Sequence, residues 1–274
     1  MKGPVGVFDS GYGGLTILDK VRSCLPEYDY LYLGDNARSP YGNRSFETVY
    51  EFTLQAVRWL FEQGCPLIIL ACNTASAKAL RTIQQHDLPD LAPDRRVLGV
   101  IRPTVENVGR ISISGHVGIL GTEGTVNSGS YPIEIHKLFP ETTVVSEACP
   151  LWVPLVENNE HDKEGADYFV RQHINNILKK DPQIDTLILA CTHYPLLEAK
   201  IRKYLPEGVN LIAQGALVAE SLKDYLHRHP EIDGRCSKNS VCRFYTTDSA
   251  EKFNSLASLF LKGEVQAEKI VLGK

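Results

Sequence analysis

No apolar run in this chain approaches the roughly 20 residues that a membrane-spanning helix needs, which excludes a helical membrane protein. No cluster of lysine or arginine is present, and 29 basic against 33 acidic side chains leave a formal net charge of −4. A general nucleic-acid binder, which needs a basic face, is disfavoured. With no steering field for an anion, any acidic ligand has to be held by local groups. No low-complexity linker interrupts the 274 residues. The seven cysteines are odd in number and scattered through strand-like and helical stretches, a reduced pattern and not a disulfide framework. The first residues reach a carboxylate at Asp9 before a signal-peptide core could form, so a cytoplasmic location is expected.

What is present is an ordinary soluble composition, 43% hydrophobic and 23% charged, in a chain long enough to bury about three-quarters of its unfolded surface. Short β-like runs alternate with amphipathic segments: Val5–Phe8, Tyr30–Leu33, Leu67–Ala71, Val97–Val100, Val117–Leu120, Val144–Val145, Leu187–Ala190, Val209–Ile212, Arg243–Tyr245 and Lys269–Leu272. Between them, Val49, Phe52, Ala56, Trp59 and Leu60 recur at helical spacing. Apolar strands alternating with helices predict doubly wound parallel sheets. Pro4–Gly11 also resembles His116–Gly124, each a strand followed by a glycine-bearing turn, which predicts a duplicated α/β lobe. The boundary falls near residue 99, and the segment from about Gln214 packs on either lobe.

Two runs carry the chemistry. Leu67-Ile-Ile-Leu-Ala-Cys-Asn-Thr74 and Leu187-Ile-Leu-Ala-Cys-Thr-His193 each end a strand at Ala-Cys and continue into small hydrogen-bonding residues. The carboxyl end of a strand is where ligands sit in an open α/β sheet. A thiol that opens a helix there is expected to have a lowered pKa. The side chains of Asn73, Thr74 and Thr192 suit a carboxylate, and His193 is placed to exchange a proton with Cys191. Asp9-Ser-Gly-Tyr-Gly-Gly14 follows the first strand and fits neither a dinucleotide fingerprint nor a phosphate loop; taken alone, Asp9 reads as an N-cap. Gly34–Gly42 follows the second strand, and Tyr41, between Pro40 and Gly42, is expected to close over a small ligand. Glu157 ends the run Trp152-Val-Pro-Leu-Val-Glu157 as either a surface charge or an acid reaching back to the site. Cys24, Cys65, Cys149, Cys236 and Cys242 read as structural, and His227 and His229 with the last two match no common zinc spacing.

Two thiols flanking one ligand suit proton removal from one face of a carbon and delivery to the other. The Cα proton of an amino acid is weakly acidic, so such a site must stabilise the carbanion by hydrogen bonds and desolvation. No lysine stands in a context suited to pyridoxal phosphate and no metal cluster is evident, so the reading is a racemase or epimerase without cofactor or metal.

At these residues the chain resembles the glutamate racemases of the cofactor-independent aspartate/glutamate racemase superfamily. The matching runs are Phe8-Asp-Ser-Gly with Gly13-Gly-Leu15, Leu33-Gly-Asp-x-Ala-Arg with Pro40-Tyr-Gly42, Ala71-Cys-Asn-Thr-Ala75, Ala190-Cys-Thr-His-Tyr-Pro195, Thr122–Tyr131 and Val153–Glu157. The resemblance implies two similar doubly wound α/β lobes related by pseudo-symmetry, residues 1–98 with 214–274 and residues 99–213, with the active site in the cleft between them. It implies interconversion of L- and D-glutamate, supplying D-glutamate for peptidoglycan, with Cys72 and Cys191 as the two bases. Asp9, His193 and Glu157 would assist them, and Asp9, Ser10, Pro40, Tyr41, Gly42, Asn73, Thr74, Thr192 and His193 would hold substrate, with Thr122 and Thr125 as further contacts. No cofactor, metal, nucleic acid or membrane enters, and a homodimer is the implied assembly. Tyr12 and Gln214 depart from the family pattern, which has a small aliphatic and an acidic residue there; both are expected to alter packing or access without touching the chemistry. A regulatory N-terminal extension is not expected. Competing readings are an aspartate or other amino-acid racemase, a thiol hydrolase using Cys191 with His193, and a non-catalytic amino-acid-binding module.

Overall fold

The computed structural model describes residues 2–261 and 263–273. Its ten strands are β1 (Val5–Asp9), β2 (Tyr30–Gly34), β3 (Leu67–Leu70), β4 (Arg96–Gly99), β5 (His116–Gly121), β6 (Thr143–Ala148), β7 (Thr186–Ala190), β8 (Asn210–Ile212), β9 (Cys242–Thr246) and β10 (Ala267–Lys269). They form two all-parallel sheets, ordered β10-β9-β2-β1-β3-β4 and β6-β5-β7-β8. All residues of β1, β2, β3 and β7 are buried, because helices cover both faces. This is why those strands read as unbroken apolar runs.

The pairings β1–β2, β1–β3 and β3–β4 repeat as β5–β6, β5–β7 and β7–β8. The expected duplication is therefore present strand for strand, with β9 and β10 extending the first copy. The two copies share an apolar core that runs from Val5, Leu15 and Leu18 to Leu120, Trp152 and Leu189. The helix Gln214–Arg228, which follows β8, lies against the helix Leu15–Cys24; a Cβ on Gly215 would sit 2.7 Å from Lys20 Cγ.

The last strand differs from expectation. It spans Ala267–Lys269, and the apolar Ile270 and Leu272 that suggested Lys269–Leu272 pack on the core instead. Among the described residues no helix is long and apolar enough to cross a membrane.

Candidate active site

Parallel strands bring their carboxyl ends to one edge of each sheet. Those of β1 and β3 deliver Ser10, Cys72, Asn73 and Thr74, and those of β5 and β7 deliver Thr122, Cys191, Thr192 and His193. All eight line one cavity of about 210 Å³ between the sheets. The loop after β2 adds Pro40, Tyr41 and Gly42. Asp9, Thr125 and Glu157 stand one layer behind the wall, each touching a lining residue.

Both cysteines therefore border one space, in settings that differ. Cys72 caps the helix Asn73–Lys78: its sulfur accepts the Ala75 N–H at 3.4 Å and lies 3.4 Å from Ser10 Oγ. The lowered pKa expected of a helix-opening thiol is absent. Burial, reinforced by the Asp9 carboxylate, pushes Cys72 up to about 12, and the Ser10 and Ala75 contacts offset only part of this. Cys191 opens no α-helix. Two turn residues and the 3-10 helix Tyr194–Leu197 follow it, and His193 Nδ1 stands 4.0 Å from its sulfur.

Glu157 reaches back: its Oε1 is 2.9 Å from His193 Nε2. Burial works against a charged His193, but the Cys191 sulfur and the Glu157 carboxylate outweigh it and raise the imidazole to about 10. At neutral pH His193 is a cation. Among the described residues it is the only basic side chain on the cavity wall, which no lysine or arginine lines. Ligand carboxylates must be held by N–H groups and hydroxyls.

Asp9 does not cap the first helix, where Gly14 stands without a side-chain cap. Its Oδ2 accepts the Gly11 N–H at 2.9 Å and its Oδ1 faces Thr192 Oγ1 at 3.4 Å. Burial raises its pKa, with the His193 charge working in the opposite direction. Gly13 passes so close behind the second thiol's turn that a Cβ there would lie 2.2 Å from Thr192 Oγ1 and 2.4 Å from His193 Nδ1.

Tyr41 does not close over the cavity. Its ring is buried against Phe8 and Phe52 and its phenol donates to Asp35. Asp35 is held further by Arg38 Nε at 2.7 Å and Thr247 Oγ1 at 2.8 Å. The Gly42 carbonyl instead accepts the Gly124 N–H at 2.7 Å, joining the two lobes at the mouth. Thr74 Oγ1 meets Thr122 Oγ1 at 3.0 Å and Thr125 Oγ1 at 3.3 Å across the same seam.

Sequence reasoning passed over Ser39, Asn43 and Glu123, which line the cavity beside residues it named, and the rigid wall of Pro150, Val153 and Pro154. It also set Tyr12 and Gln214 apart from the site. Tyr12 stacks on Phe260, whose ring stands edge-on to His193 with centroids 5.5 Å apart, and Gln214 accepts a hydrogen bond from Asn73. Among the described residues no group of three His, Cys, Asp or Glu is placed to hold a metal, so His227, His229, Cys236 and Cys242 do not gather into one.

The family model described as Asp/Glu/Hydantoin racemase matches residues 15–222. The glutamate racemase of Ruegeria sp. (strain TM1040) is 40% identical over 274 residues, covering 96% of this chain and 98% of its own length. Among solved structures, the glutamate racemase of Bacillus anthracis superposes with a TM-score of 0.89 at 35% identity, covering 98% of this chain and 97% of its own. That of Francisella tularensis, determined in complex with D-glutamate, superposes with a TM-score of 0.88 at 35% identity and 98% coverage of both chains.

Proposed function

This chain belongs to the Asp/Glu/hydantoin racemase family, and we propose that it works through two thiols, Cys72 and Cys191, acting on opposite faces of one amino acid. Its activity is the interconversion of L- and D-glutamate, and the D-glutamate serves peptidoglycan synthesis. The observation that carries the mechanism is that two cysteines at equivalent strand ends of a duplicated fold border the same small cavity.

In one direction Cys191 takes the Cα proton while Cys72, kept protonated by its burial, gives its own proton to the opposite face. In the reverse direction the roles exchange. His193 stands 4.0 Å from the Cys191 sulfur, placed to exchange a proton with it, and Glu157 holds the imidazole in place. Asp9, whose carboxylate helps to keep Cys72 protonated, also faces Thr192 beside the second thiol. The substrate carboxylates are taken by the N–H groups that open Asn73–Lys78 and by the hydroxyls of Ser10, Thr74, Thr122 and Thr192, with Thr125 supporting the threonine pair. Pro40, Tyr41 and Gly42 contribute main chain. No cofactor or metal takes part in this scheme, and the protein acts in the cytoplasm as a homodimer without a nucleic-acid or membrane partner.

The test is incubation of the purified protein with L-glutamate in deuterated water without added cofactor. D-glutamate is expected to form with deuterium at Cα while early unconverted L-glutamate stays unlabelled, because each face has its own base. Equal early labelling of both enantiomers would point to a single base and overturn the two-thiol scheme. Absence of any D-glutamate would overturn the substrate assignment.

A further inference from the structure

Behind the Cys72 wall of the cavity, three buried side chains close a ring of hydrogen bonds that no step above uses, with Thr104 joined to it. Asn73 Nδ2 donates to Gln214 Oε1 at 2.6 Å, Gln214 Nε2 donates to Tyr131 OH at 2.6 Å, and Tyr131 OH donates to Asn73 Oδ1 at 2.6 Å. Gln214 Nε2 also donates to Thr104 Oγ1 at 2.8 Å and faces the Val100 carbonyl at 3.4 Å. The relative exposures are 3% for Asn73, 2% for Gln214, 1% for Tyr131 and 0% for Thr104, so water cannot replace a missing partner.

The sense of the ring is fixed from outside. Thr104 Oγ1 spends its proton on the Val100 carbonyl at 2.8 Å, so both of these oxygens present only lone pairs to Gln214. The group facing them must be the amide nitrogen, and Gln214 Oε1 therefore faces Asn73. Asn73 must in turn offer its nitrogen to Gln214 and its oxygen to Tyr131. Burial raises the Tyr131 pKa, so the phenol keeps the proton it donates. Every member has a single allowed orientation.

The ring also spans the junction of the two lobes. Asn73 opens the helix after β3, Tyr131 lies in the helix Ser130–Leu138 after β5, and Thr104 lies in Ile101–Val105, where the chain crosses to the second sheet. Gln214 opens the helix that begins directly after β8. Asn73 is bonded to Cys72 and starts the helix whose Ala75 N–H holds the Cys72 sulfur.

We propose that Gln214 and Tyr131 are positioning residues that, through Asn73, fix the Cys72 thiol relative to the second lobe. The inference rests on the two-thiol reading and deepens it: the ring acts on one thiol only, whereas closure of the cleft acts on both.

The experiment compares Tyr131→Phe, Gln214→Leu and the double variant with the unaltered protein, measuring kcat/KM in both directions with Cα-protonated and Cα-deuterated substrate. L- and D-glutamate have equal free energy, so kcat/KM must stay equal in the two directions for every variant, and a disturbance confined to the Cys72 proton transfer emerges in the two isotope effects, which report on different thiols. Each single variant is expected to lose about tenfold in kcat/KM, the scale of a lost buried hydrogen bond. The isotope effect is expected to rise for the enantiomer that Cys72 deprotonates and to fall for the other, and the double variant should be no worse than the weaker single one, because a ring opens only once. Tyr131→Phe removes one oxygen atom and decides the matter alone if Gln214→Leu does not fold. Unchanged kcat/KM in Tyr131→Phe, isotope effects that move alike in the two directions, or multiplicative losses would each overturn the inference. Failure of the unaltered protein to racemise glutamate would instead overturn the reading beneath it.

Discussion

Replacing Glu157 by glutamine tests the charge on the second thiol's side without removing any group that touches substrate. Glu157 Oε1 lies 2.9 Å from His193 Nε2, and the side-chain exposures are 25% and 6%. Burial alone would hold His193 below its ordinary value of 6.5, yet its pKa reaches about 10, with the Cys191 sulfur and Glu157 as the opposing causes. An opposite charge in contact typically moves a pKa by about 1–3 units, so the neutral amide should bring His193 down to roughly 7–9. At pH 8 the unaltered protein would hold His193 largely protonated, and the variant would hold a smaller fraction of it so. A folded pKa above the unfolded one means that protonation stabilises the fold. That contribution is complete below about pH 6.5 and fades as pH rises through about 10; in the variant the fading starts earlier. The assay is an NMR titration of isotopically labelled imidazole from about pH 6 to about pH 11, with kcat followed in both directions. A His193 midpoint that stays near 10 in the variant would refute the assignment of Glu157 as its charge partner.

Three further outcomes are expected. Cys72→Ala and Cys191→Ala should each reduce racemisation on the order of 10³-fold or more with the melting temperature preserved, and a variant of either that turns over normally would remove that thiol from the mechanism. Tyr41→Phe should leave kcat/KM unchanged while costing about 1.5–3 kcal/mol in denaturant unfolding, because the fully buried Asp35 carboxylate loses a donor and the cavity loses nothing; a large activity loss at unchanged stability would return the ring to the site. Gly13→Ala should lose activity on the order of 10²-fold in a folded protein, since its Cβ would have to displace Thr192 and His193 from distances of 2.2 and 2.4 Å; wild-type turnover would mean that this turn tolerates movement.

The sheets were legible in the chain because strands covered on both faces must be apolar throughout, and Val5–Phe8, Leu67–Ala71 and Leu187–Ala190 carry that requirement openly. The edge was not legible. β10 takes its register from main-chain pairing with Phe244, Tyr245 and Thr246, so Ala267 and Glu268 belong to it and the more hydrophobic Ile270 and Leu272 do not. The site was legible wherever chemistry follows a strand directly, as in Cys72-Asn73-Thr74 and Cys191-Thr192-His193. It failed where a partner arrives from far along the chain: Gln214 lies 141 residues from Asn73, and nothing in either neighbourhood announces the pairing. The protonation of Cys72 failed for a related reason. Sequence displays the helix start that would lower a thiol pKa, whereas the burial that raises it is a property of the assembled lobes.

The duplicated scaffold and its unequal thiols answer different demands of one reaction. L- and D-glutamate are mirror images, so the proposed two-thiol scheme needs groups of similar competence on both faces of Cα, and two copies of one strand order supply matched positions. The substrate's two carboxylates are not equivalent under the pseudo-symmetry of the lobes, because one is attached directly to Cα and the other ends the side chain. The pocket around the matched thiols therefore has to be asymmetric. One thiol has a serine and a helix N–H for neighbours, the other a cationic histidine, and each lobe contributes different hydroxyls to the wall. A site symmetric in its surroundings as well as its thiols would bind glutamate in two reversed poses and hold neither carboxylate well. In the two-thiol scheme proposed above, duplication fixes where the proton moves, and the divergence of the two halves fixes which molecule it moves on.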